Sequence, residues 1–242
     1  MTTEALALDA SGALAAADDA IRRVRRTVED LHDTVTSAMR VLYDAEIDSA
    51  KARLSDRGNF YLEAAAEHLS RLQTRCTDMR ALTGELTDHL DKATRVVEEA
   101  NNMTNDLRRS TDPQIAQEAA HLSPRIAVLA EMVDLARPVA DLAAKHVAQA
   151  REASLDVTAS SMLEPRSLEH SIRSAAQELG RADEDLRLLD TVVERAAISA
   201  HQSAGMASEI SDTARRRMSG ERDSWSPGGS TDIQLPPSRL TR

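Results

Sequence analysis

Residues 62–107 read LEAAAEHLSRLQTRCTDMRALTGELTDHLDKATRVVEEANNMTNDL, and the phase of their apolar positions decides the fold. Leu62, Ala65, Leu69, Leu72, Cys76, Met79, Leu86, Leu90, Ala93, Val97, Ala100 and Leu107 recur at alternating steps of three and four. Thr83 and Thr104 are the polar members of the same series. Steps of three and four place one stripe along a helix, and their strict alternation is the seven-residue rhythm of a coiled-coil seam.

Upstream, the same rhythm runs through Leu14, Ala17, Ile21, Val24, Val28, Leu31, Val35, Ala38, Leu42 and Ala45, then drifts to Ile47, Ala50 and Leu54. The break falls at Asp56-Arg57-Gly58-Asn59, whose Gly-Asn pair suits a turn or a helix C-cap. Downstream, Ser110-Thr111-Asp112-Pro113 supplies an N-cap aspartate and a proline for the first helical position. A third seam follows from Ile115 to Val157, despite Pro124 and Pro138, each of which removes a helical hydrogen bond and should bend or interrupt the helix. A fourth follows Glu164-Pro165 and runs from Leu168 to Ala214.

These series predict an all-α chain of four helices, at about 12–57, 60–109, 113–163 and 166–218. Residues 1–11 read as a flexible N-terminus and 219–242, with their turn formers and single Trp225, as a disordered tail. Each helix would be roughly 70 Å long at about 1.5 Å per residue. Equal lengths joined by short turns imply a long antiparallel, up-down-up-down four-helix bundle. Closure within one chain and pairing of hairpins between chains satisfy the periodicity equally.

The bulk composition agrees. Aromatic residues make up 2% of the chain, so the apolar mass is aliphatic and suits helices better than sheets. The net charge of −10 disfavours a protein that coats nucleic acid. Lysine occurs only at Lys51, Lys92 and Lys145, an arginine bias associated with GC-rich bacterial genomes. A single cysteine excludes an internal disulfide, and the N-terminus lacks the basic start of a signal peptide, so the cytosol is the expected compartment, with export lacking a cleavable signal as the alternative. The most apolar stretch, Ile126–Val147, carries Glu131, Asp134, Arg137, Asp141 and Lys145, too many charges for a membrane span.

Catalytic and metal-binding candidates are weak. Glu29/His32 and Glu118/His121 have the Glu-x-x-His spacing of di-iron bundles, yet Val28, Leu31, Ala119 and Leu122 hold the seam and push both motifs beside it. Cys76 lies on the seam, as a buried thiol would. No enzyme activity and no cofactor are expected, and a metal-binding bundle remains a remote alternative.

Two surfaces carry the functional expectation. Arg22, Arg23, Arg25 and Arg26 near the start of the first helix, Arg108 and Arg109 at the end of the second, and Arg215, Arg216 and Arg217 at the end of the fourth would gather at one end of the rod. That end would complement helix dipoles or take an acidic partner; without interleaved aromatics it is a poor nucleic-acid site. On the third helix, Val128, Met132, Leu135, Val139 and Leu142 lie off the seam, which implies an enclosed helix or an interface. Phe60 and Tyr61 are expected to plug the turn end.

The reading is a non-enzymatic structural or interaction protein, a scaffold that binds a protein partner or forms a homo-oligomer. Tandem hairpins followed by a tail also look similar in architecture to the small hairpin proteins of type VII secretion. Here Arg57-Gly58-Asn59 replaces their Trp-x-Gly turn, and no Tyr-x-x-x-Asp/Glu signal is found. That resemblance implies a secreted substrate or its partner.

Overall fold

A computed structural model describes residues 2–158 and 165–224, with backbone alone for 156–158 and 218–224. Four helices follow one another: α1 (Thr3–Leu54), α2 (Gly58–Leu107), α3 (Pro113–Thr158) and α4 (Pro165–Ser224), with no strand among the described residues.

Local chemistry sets the helix starts. The Thr2 hydroxyl accepts the Ala5 N–H at 3.3 Å and caps α1. Asp112 Oδ1 accepts the N–H groups of Gln114 at 2.9 Å and Ile115 at 3.4 Å, with Pro113 behind it at the first helical position. Desolvation pushes the Asp112 carboxyl up, but those two N–H groups and the Arg217 guanidinium outweigh it and hold the group below the ordinary carboxylate range. Gly58 opens α2 instead of capping α1. A Cβ there would lie 2.8 Å from the Ala52 carbonyl oxygen, so the tight return from α1 requires glycine.

Each helix lies antiparallel to its sequence neighbours, and α4 closes against α1. Thr27–His89 and Asp48–His68 join α1 to α2, Gln73–Ser154 and Asp91–Arg137 join α2 to α3, Arg125–Gln202 and His146–Glu178 join α3 to α4, and His32–Asp183 and Asp18–His201 join α4 to α1. As one partner's number rises the other's falls, which is the up-down-up-down bundle. It closes within one chain. The backbones of α2 and α4 approach across the diagonal, whereas those of α1 and α3 do not.

The core is the predicted seam. Leu14, Ile21, Leu31, Leu69, Leu72, Met79, Leu122, Ile126, Leu129 and Leu168 are among its fully buried side chains. Of its buried hydroxyls, Thr83 donates to the Arg80 carbonyl and Ser154 to that of Arg151, whereas those of Thr104 and Ser203 have no hydrogen-bond partner among the described residues. A void among Ile21, Leu90, Met132 and Val193 holds about 10 Å³, at the threshold for one water.

Several expectations change. The expected flexible N-terminus at 1–11 is helix from Thr3 on, and Ala7 and Ala10 are buried one heptad before Leu14 and Ala17, while Met1 lies outside the described residues. Nor does the first seam drift to Ile47, Ala50 and Leu54. Its phase continues through buried Ser49, while Leu54 is 90% exposed. The third helix runs on through Pro124 and Pro138. Both are exposed, and the carbonyls they strand, on Ala120 and Asp134, belong to exposed residues where water can reach them. The backbone of α4 continues to Ser224, six residues past the expected end. Val157's side chain, residues 159–164 and the tail from Trp225 lie outside the described residues.

Candidate functional site

Seam phase orients every helix. In heptad terms, the core positions of α3 are Ile126, Leu129, Val133, Ala136, Ala140, Ala143 and Val147. One position on the flank of α3 holds Met132, Val139 and His146 and meets the matching flank of α4, where Glu178, Asp185 and Val192 stand. His146 Nδ1 lies 2.8 Å from Glu178 Oε2, and its Nε2 lies 3.7 Å from Asp185 Oδ2.

The five off-seam residues of α3 therefore divide. Met132 and Val139 are half-buried and pack against the core at the α4 crevice. Val128, Leu135 and Leu142 stand one position further out, at 45%, 54% and 46% exposure. Their spacing of seven residues lines them along one stripe pointing away from the bundle. The same position of α4 carries Leu188, 54% exposed, between Arg181 and Arg195. Leu188 thus joins the surface from the neighbouring helix, a member that reading α3 alone had missed. Its signal was present in the sequence, as an apolar residue two past seam Leu186.

The arginines are not brought to one end. Arg217 pairs with Asp112, and Arg108 and Arg109 lie beside the turn into α3, so these mark the end of the rod. Across the α1–α4 and α1–α2 pairings, Arg22 lies about 20–30 Å further along. The error came from starting the first helix some nine residues late. Arg22, Arg23 and Arg25 also pair with Asp18, Asp19 and Glu29 on their own helix, and Arg26 is exposed beside them. Arg216 Nε donates to the Asp212 carbonyl, and Arg215 too makes contacts within the chain. A concentrated anion site does not result.

Nor do the two Glu-x-x-His motifs meet. Glu29 pairs with Arg25, His32 with Asp183, and Glu118 accepts from Gln114. About 19 residues of helix height separate the motifs, close to 30 Å. Among the described residues no group of three or more histidine, cysteine, aspartate or glutamate side chains is placed to hold a metal. Cys76 is buried, which pushes its thiol up to about 11 against an opposing pull from Arg151. Phe60 does not plug the turn: it is 64% exposed, edge-on to Tyr61 at 5.5 Å, with Lys51 Nζ 5.6 Å from the Tyr61 ring.

No helix of the described residues is long and apolar enough to cross a membrane. The class defined here is an all-α, four-helix bundle with an apolar stripe on one outer face. Comparison with protein families, curated proteins and solved structures finds no match for this chain.

Proposed function

We propose that this chain is a non-catalytic interaction protein, a helical rod that docks a protein partner on the outer α3 stripe of Val128, Leu135 and Leu142. The exposure of three large aliphatic side chains in one heptad-spaced line carries the reading. An aliphatic side chain of this size yields roughly 1.5–3 kcal/mol on full burial. A contiguous line of them left in water is an uncollected driving force, which soluble proteins keep chiefly for use. The non-catalytic reading is supported by the lone cysteine, whose buried thiol stays protonated near neutral pH. The tandem-hairpin resemblance leaves an exported partner as the alternative setting for the same surface.

The test is Leu135→Glu with Leu142→Glu. Both side chains are half exposed, so the double variant should remain helical and lose no more than about 0.5 kcal/mol of stability per site. Self-association, or capture of a partner from the source cells, should disappear. A variant that unfolds would make the stripe internal packing, and one that folds and associates like the wild type would place the interface elsewhere.

A further inference from the structure

Between Glu131 and Lys145 the α3 outer face carries opposite charges and large apolar residues at matching distances on either side of Pro138, while Val128, further out, is matched by Ala148 and Gln149. Glu131 precedes Pro138 by seven residues and Lys145 follows it by seven, while Leu135 precedes it by three and Leu142 follows by four. Glu131, Pro138 and Lys145 are exposed, and Leu135 and Leu142 half exposed. Among the described residues neither Glu131 nor Lys145 has an ion-pair partner, whereas Arg22, Arg25, Arg71 and Arg173 each hold a carboxylate four residues away. The α4 side shares the centre. Arg125–Gln202 and His146–Glu178 set the relative heights of α3 and α4, which puts Leu188 level with Pro138 to within about one residue, or 1.5 Å.

We propose that the occupant of this face is a second copy of the same chain, docked antiparallel about a two-fold axis passing beside Pro138 and Leu188. This rests on the reading of the α3 stripe as an interaction surface. A two-fold contact must be self-complementary, residue i meeting j and j meeting i. Reversal about Pro138 does that along α3, where Leu135 meets the partner's Leu142 and Glu131 faces the partner's Lys145 on both sides of the axis; on α4 Leu188 meets the partner's Leu188, and Arg181, already held by Glu178 at 2.9 Å, faces the partner's Arg195. The face is about 25 Å long and two helices, roughly 20 Å, wide, so a pair buries on the order of 1,000 Å² in all, the lower bound for a specific dimer. Association in the micromolar range is expected.

Sedimentation equilibrium on the full chain should show a monomer–dimer equilibrium. Glu131→Lys and Lys145→Glu, each made alone, turn two attractive pairs into two repulsive ones and should weaken it about tenfold or more. The double variant Glu131→Lys/Lys145→Glu should restore it. Independently, Leu188→Cys should form a covalent dimer under mild oxidation, because only a residue on the axis meets its own copy, while Ile198→Cys, exposed elsewhere on α4, should not. A wild type that stays monomeric into the high-micromolar range overturns the second copy, yet leaves the docking surface standing if Leu135→Glu/Leu142→Glu still abolishes capture of another protein. Failure of the double charge variant to recover, or of Leu188→Cys to cross-link, overturns the antiparallel two-fold.

Discussion

Cys76 shows what position on the seam does to a single side chain. The residue is fully buried, and loss of water raises its thiol from 9.0 to about 11, Arg151 pulling weakly the other way. A group whose pKa is higher in the fold than in the open chain stabilises the fold below the open-chain value and loses that contribution as pH climbs. Denaturation at pH 8 and at pH 10.5 should therefore show a stability loss at the higher pH that Cys76→Ala removes. In the same vein, alkylation of the native protein at pH 8 should be slow and should accelerate on unfolding. Rapid labelling of the native state would mean that this core layer opens.

At the scale of the element, the clearest lesson is the beginning of α1. The segment from Thr3 to Asp19 is rich in alanine and leucine, strong helix formers, and Ala7 and Ala10 extend the seam one heptad back from Leu14. Leu6 packs half-buried beside them. Removing residues 2–11 should therefore cost on the order of 2 kcal/mol, from burial of about three small or medium apolar side chains. Urea denaturation of the truncated chain measures it, and an unchanged midpoint would mean that this turn of the rod frays in solution. The prolines of α3 teach the converse. A residue that forbids a helical hydrogen bond is tolerated where the stranded carbonyl faces water, and Pro124 and Pro138 both stand on that side.

For the whole molecule, length is the measurable consequence. The 60 residues of α4 give a rod of about 90 Å at 1.5 Å per residue. An antiparallel pair centred near Pro138 overlaps almost fully, so it should reach only about 105 Å while its cross-section doubles. Small-angle X-ray scattering across a concentration series should show that thickening with little elongation. End-to-end growth would point instead to contacts at the tips, where Leu54 and Phe60 are exposed.

The sequence by itself determined the four helices, their seams and the antiparallel order, because a seven-residue apolar rhythm states which side of a helix faces inward and a short turn leaves a neighbour no other course. It also marked Val128, Leu135 and Leu142 as off-seam. Only the tertiary structure decided the axial heights of the helices and the neighbour on each flank. Periodicity specifies an angle around a helix, not a level along a bundle. An error of nine residues at one terminus therefore leaves the seam from Leu14 to Ala45 correct and still displaces Arg22 from Arg217 by tens of ångströms. The same gap explains Met132 and Val139. Their distance from the seam was legible, but their burial depended on α4 lying against that flank, and the half-exposed stripe beside them is what the packing left uncovered.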